Sequence, residues 1–231
     1  MNAASVRSRV RAELVDEITE EARRQLAVEG AAGLSLRAVA REMGMVSSAV
    51  YRYFPSRDDL LTALIVDAYN AMGARVEEAE SAVRRTDFRG RWMAVCHAVR
   101  AWARASPHEY GLVFGTPVPK YAAPVDTISP AMRVTVVLVQ IVADAVRSGV
   151  LALEREPIPK AVRADLAPIR AFFSEQGAIV DDDLIVRSIM AWTHIYGAVS
   201  FELFGHRVGM VTNEDGFFDH EMRRMAAFVG L

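Results

Sequence analysis

The chain of 231 residues contains one cysteine, Cys96. A single thiol cannot build a disulfide framework within one chain, which fits a reducing compartment. Lysine is almost absent: apart from Lys120 and Lys160, every basic residue is Arg. Arg pairs well with phosphate, but the bias runs through the whole sequence and so singles out no site. No glycine-rich phosphate loop, metal-ligand cluster or nucleophile motif is present. No enzyme activity, cofactor, metal or catalytic residue is therefore expected. Cys96 and His97 are sequence neighbours, which diverge by about 100° on a helix and so cannot form a thiol–imidazole pair there. A redox role for Cys96 is also disfavoured by its expected burial. No long hydrophobic run occurs: the most apolar stretch, Val134 to Val146, is interrupted by Gln140 and Asp144, and is expected to be too short and too polar to span a bilayer. The start, MNAASVRSRVRAELVDE, is too charged for a signal peptide. A cytoplasmic protein without a membrane segment is expected.

Hydrophobic residues make up 52% of the chain, enough for a sizeable core. The formal net charge is only -2, but it is unevenly spread. Residues 1–57 carry nine Arg against seven Asp and Glu, while the remainder is net acidic. A more basic N-terminal part is a weak footprint of polyanion binding.

The periodicity is helical nearly throughout, and predicts an all-α fold of about nine helices. Val10, Leu14, Ile18, Ala22 and Leu26 recur every four residues in an amphipathic helix that should end at Gly30. Ser35 suits the cap of a short second helix, in which Leu36, Val39, Ala40 and Met43 follow helical spacing. Gly44 breaks it, and a third short helix is expected from Ser47 to Phe54. Ser56 and Asp59 have capping-box spacing ahead of a fourth helix reaching about Glu80. Further helices are expected over 88–105, 108–114, 160–175, 182–204 and 215–229. Another should start at Pro130 behind a Ser129 cap and end at Gly149. Residues 115–128 and the stretch around Pro157 and Pro159 should be irregular. The predicted organisation is an N-terminal three-helix domain, 1–57, and a larger helical domain, 58–231.

Residues 34–60 carry the functional signal. Two short helices flank the turn Met43-Gly44-Met45, and Gly44 supplies the positive φ such a turn needs. With Met45, Val50 and Phe54 facing inward, Ser47, Ser48, Tyr51 and Arg52 face outward. Hydroxyls and backbone N–H groups contact phosphate, and Arg reads guanine or holds phosphate. Spacing alone leaves this open, because a helical hairpin with a solvated face looks the same. Arg7, Arg9 and Arg11 form a candidate basic arm for the minor groove or the phosphates, or equally a solvated terminus.

The segments Gly33 to Ala40, Gly44 to Ser47 and Val50 to Leu61 resemble the DNA-binding domain of the TetR (tetracycline repressor) family. The resemblance extends without a gap from about Val10 to Leu64. It implies roles by position: Arg37 touching a base or phosphate, Ser35 as a phosphate-contacting cap, and Ser47, Ser48 and Ala49 reading bases with help from Arg52. It further implies Tyr51 and Tyr53 on the phosphate backbone, and Arg57 capping the fourth helix and holding phosphate. Val50 stands where Leu is commoner in the family.

Residues 191–206 resemble the second-last helix of actinobacterial family members with a Trp-His-Gly-like C-terminal domain. The resemblance implies a ligand-responsive transcriptional regulator, usually a repressor. It would bind a near-palindromic DNA operator as a homodimer formed by the last two helices, with the fourth helix as lever. A small, largely apolar effector is implied, with Tyr69, Met72, Trp92, Met93, Cys96, His97, Trp102, Phe114, Trp192 and Tyr196 as candidate pocket residues. Each is also the kind of residue that ordinary core packing uses. A helical small-molecule-binding protein or enzyme with a structural N-terminal hairpin is the rival. The outward Ser47, Ser48, Tyr51, Arg52 and Arg57 set argues against it.

Overall fold

A computed structural model describes residues 3–151 and 156–231, without the side chains of residues 3–5 and 7. Residues 152–155, within the stretch expected to be irregular, and the Arg7 side chain lie outside what is described. Among the described residues the chain is all-α, with eleven helices and no strand. They are α1 (Ala3–Gly33), α2 (Leu36–Glu42), α3 (Ser47–Val50), α4 (Arg57–Ser81), α5 (Phe88–Ala105), α6 (Pro107–Phe114), α7 (Ile128–Arg147), α8 (Lys160–Asp165), α9 (Ala167–Glu175), α10 (Asp182–Leu203) and α11 (Glu214–Val229). They form two compact units. One comprises the residues up to Asn70 together with Ser106–Pro130; the other comprises Ala71–Ala105 and Ala131–Leu231.

The first unit closes around Ile18, Ala22, Leu34, Leu36, Val39, Val50, Phe54 and Leu60, all buried. The expected stripe on α1 is real from Leu14 onward, but Val10 is 53% exposed and outside the core. Gly30 breaks α1 where a helix end was expected, with φ 69°. Helix already begins at Ala3, so Arg9 and Arg11 lie on α1 and not in an extended arm preceding it. Arg23 joins α1 to Asp67 of α4 at 2.8 Å and to Glu109 of α6 at 3.4 Å. Desolvation raises the pKa of Asp67, while Arg23 opposes that rise.

The second unit packs Trp92, Cys96 and Val99 of α5 with Ile141 of α7, Ile195 of α10 and Met222 of α11 in its core. Arg91 is wholly buried and is held by charge. Its guanidinium donates to Glu80 at 2.5 Å, to Asp144 at 2.7 Å and to the carbonyl of Arg85 at 3.1 Å. This network ties α4, α5 and α7 together. Arg100 of α5 meets Glu202 of α10 in a two-pronged pair at 2.7 and 2.8 Å.

Two expected boundaries differ. Ser129 is not a cap, because a 3-10 turn at Val125–Thr127 leads straight into α7 at Ile128. Pro130 is still in the first turn, where its missing N–H leaves no bond unmade. The helix expected over 160–175 is two, α8 and α9, meeting at Leu166. Pro168 sits in the first turn of α9, and a continuous helix would set its ring against the carbonyl four residues back. Helix α7 also outruns the apolar stretch 134–146. The segment Val125–Arg147 is long and apolar enough to cross a membrane by length and composition, with mean hydropathy 1.5 and 44% of the window buried. A core helix passes the same test, and Val134, Leu138, Ile141 and Val142 are core here.

Candidate nucleic-acid interface and effector cavity

In the first unit, Ser35 caps α2: its Oγ accepts from the N–H of Ala38 at 3.4 Å. Its own N–H donates to Gln25 at 2.7 Å. Gly44, with φ 65°, turns the chain toward α3. The N–H of Met45 closes the turn on the carbonyl of Ala40 at 2.8 Å. Helix α3 is shorter than expected and ends at Val50, but its path continues as a turn, in which the N–H groups of Tyr53 and Phe54 bond to the carbonyl of Val50 at 2.9 and 3.1 Å.

Val50 anchors this segment, with no exposed surface, and Phe54 is buried beside it. The opposite side faces solvent. Ser48, Tyr51 and Arg52 are exposed, and Ser47 and Ala49 are partly so. Arg37 on α2 is exposed too, and neither it nor Arg52 has an ion pair among the described residues. The segment thus presents hydroxyls, a phenol and an uncommitted guanidinium, a donor-rich surface suited to phosphate and base edges.

Tyr53 and Arg57 stand differently. Tyr53 is half-buried, with the Arg11 guanidinium 5.0 Å from its ring centre. Arg57 is half-buried and donates to the carbonyls of Leu34 at 3.1 Å and Ala31 at 2.5 Å. Just before α4, the N–H of Ser56 bonds to the Asp59 carboxylate at 2.9 Å, and the N–H of Asp59 returns to Ser56 Oγ at 3.1 Å. This is the reciprocal box its spacing predicts.

The second unit holds a cavity of about 400 Å³ among α5, α7, α9, α10 and α11. Of the ten candidate pocket residues, Trp92 and Trp192 line it. Tyr196 stands behind Trp192, edge-on at 5.7 Å between ring centres. The others are elsewhere. Tyr69 and Phe114 belong to the first unit and meet edge-to-face at 6.0 Å. Met72, Met93, Cys96 and Trp102 are buried core. His97 is exposed and lies 3.3 Å from Asp219. Burial pushes the Cys96 thiol well above its ordinary pKa, away from the reactive thiolate.

Thr135 and Leu138 of α7, Phe172 of α9 and Ser188 of α10 also line the cavity, and none of them was among the expected pocket residues. Their signal was present as amphipathic periodicity. However, periodicity does not distinguish a cavity wall from filled core.

Two family descriptions match the chain. Residues 18–64 match bacterial regulatory proteins of the tetR family, and residues 92–225 match the tetracyclin repressor-like C-terminal domain. HTH-type transcriptional regulators of Mycobacterium bovis and Mycobacterium tuberculosis are 39% identical over 219 residues, covering 94% of this chain and 92% of theirs. The crystal structure of the regulatory protein SCO4313 superposes with TM-score 0.76 at 32% identity, covering 95% of this chain and 98% of that one. A protein of unknown function from Rhodococcus, 20% identical, shares the fold at TM-score 0.71 over 94% of this chain and 96% of that one.

A short helix pair with an exposed polar face, followed by a larger helical part, together with these matches marks a helix-turn-helix transcriptional regulator. The chain belongs to the TetR family of such regulators.

Proposed function

We propose that this regulator is a cytoplasmic repressor which binds a near-palindromic operator as a homodimer, with half-sites about one helical turn apart. It acts by binding and not by catalysis. Residues 1–57 read DNA, and residues 58–231 take the effector and form the dimer. One observation carries the DNA reading: Ser48, Tyr51 and Arg52 are exposed while Val50 between them is fully buried. Ser47, Ser48, Ala49 and Arg37 would meet base edges or phosphates, and Tyr51 a phosphate. Arg57, already committed to backbone carbonyls, and Ser35, committed to Gln25 and Ala38, would add to the phosphate contacts mainly by fixing the local backbone.

The dimer reading is supported by α10 and α11. Met190 and Phe201 of α10, Phe204 just after it and Phe217 of α11 are exposed large apolar residues. Gly197 of α10 has open space where a side chain would stand. Together these faces suit a four-helix bundle with a second copy. A small, largely apolar effector in the cavity of the second unit would release DNA, because it favours a conformation with lower operator affinity. Helix α4, which runs from one unit into the other, is the lever of this reading.

A gel shift on the DNA flanking the regulator's own gene tests it. A specific, salt-sensitive complex is expected. Its absence there and at neighbouring promoters counts against the reading.

A further inference from the structure

The cavity volume of about 400 Å³ lies within the roughly 300–1,000 Å³ span of small-molecule sites. No lining residue is Asp, Glu, Lys, Arg, His or Tyr. Hydrogen-bonding capacity is nearly exhausted as well. The indole N–H of Trp92 is spent on the carbonyl of Met222 at 3.0 Å. The hydroxyl of Ser188 donates to the carbonyl of Leu184 at 2.7 Å, so only its oxygen remains, as an acceptor. Trp192, 39% exposed, also lines the cavity, and its indole N–H has no hydrogen bond among the described residues. The Thr135 hydroxyl, on a less exposed lining residue, likewise has no hydrogen bond among the described residues and is the donor assigned here to a bound oxygen.

An ion carried past the open side into this cavity would lose much of its hydration and find no counter-charge. It would be admitted only after neutralising itself. An oxygen that accepts one hydrogen bond would instead meet Thr135, while an apolar body would pack on Phe172, Leu138 and Trp92.

We propose that this cavity selects an uncharged apolar molecule carrying one hydrogen-bond-accepting oxygen, such as an ester, ketone or alcohol, and rejects the carboxylate or ammonium of the same skeleton. This rests on the effector reading above and gives it a chemical class. The selection has a quantitative signature. A carboxyl of ordinary pKa, about 4.3, that binds only as the acid is disfavoured roughly a thousandfold at pH 7.3. Its apparent affinity then rises about tenfold for each unit by which pH is lowered.

The test titrates methyl decanoate, decanoate and decylamine into the full chain without DNA, following tryptophan fluorescence. Trp92 and Trp192 both line the cavity and report its filling. Saturable binding of methyl decanoate is expected, with decanoate at least a hundredfold weaker at pH 7.3 and tightening as pH falls. Thr135→Val should weaken the ester several-fold, and Thr135→Ser should restore it. Leu138→Trp, checked for folding by thermal unfolding, should abolish binding. Equal affinity for ester and carboxylate overturns the proposal, as does a folded protein that does not bind the ester. An unchanged ester affinity in Thr135→Val overturns the role given to that hydroxyl. A separate DNA arm distinguishes the two readings. If the ester binds selectively but leaves the DNA complex intact, the cavity chemistry stands and effector release fails.

Discussion

The guanidinium of Arg57 donates to the carbonyl of Leu34 at 3.1 Å, and its second arm reaches the carbonyl of Ala31. These carbonyls lie at the end of α1 and the entry to α2, where a helix terminus leaves acceptors unpaired. Arg57 is therefore a fastener of the helix-turn-helix unit. Arg57→Ala is expected to cost about 1–3 kcal/mol, whereas Tyr51→Ala stays within about 0.5 kcal/mol. Urea unfolding of the two variants measures the difference.

Arg91 makes a second, deeper prediction. It is fully buried between Glu80 and Asp144, and Arg85 remains near both carboxylates. Removing a buried partner leaves uncompensated charge, so Arg91→Ala is expected to destabilise by about 3–5 kcal/mol, toward the lower end because Arg85 persists. Chemical denaturation monitored by circular dichroism reads this directly.

Gly44 and Gly73 should respond to alanine for different reasons. At Gly44 a Cβ meets nothing within 4 Å, so only its φ of 65° opposes substitution. Gly44→Ala is expected to cost about 1 kcal/mol, and Gly44→Asn less, since Asn tolerates this region. At Gly73 the backbone is unstrained, but a Cβ falls 2.7 Å from the Arg133 side chain. Gly73→Ala must displace that guanidinium from Glu77, and loss of this pair would appear as a changed pH dependence.

That dependence has a defined sign. The hydrogen bond from Arg133 holds the Glu77 carboxyl below its ordinary 4.5. A depressed carboxyl contributes stability above its unfolded pKa, and the contribution is lost as pH falls through the folded value. Both side chains are partly exposed, so the effect is small. Glu77→Gln should narrow the gap between melting temperatures at pH 7 and pH 3.5, and an unchanged gap contradicts this.

Much of the fold was legible because its punctuation is local. Gly30, Gly44 and the Ser56–Asp59 box each fix a boundary through backbone chemistry that a few residues define. Asp181 likewise caps α10, accepting from the N–H of Leu184 at 2.9 Å. The split at Leu166 was not legible, because Lys160 to Glu175 carries one continuous helical pattern and Pro168 fits the first turn of a new helix as well as a break. The outward set on α3 and the turn after it followed from the burial of Val50. The cavity did not: Met72, Cys96 and Trp102 have the same periodic signature as Trp92, and only tertiary packing decides which of them face empty space. The backbone bonds of Arg57 were not legible for a related reason. Its carbonyl partners lie more than twenty residues away in sequence and leave no local mark.

The central claim is that the exposed side of α3 and the turn after it reads DNA. The most direct measurement compares operator affinity of the wild type and the double variant Tyr51→Ala, Arg52→Ala across a salt series, with thermal unfolding in parallel. At least a tenfold loss of affinity is expected, with a shallower salt dependence from the lost phosphate contacts and a nearly unchanged melting temperature. Undiminished affinity in a correctly folded double variant would contradict it.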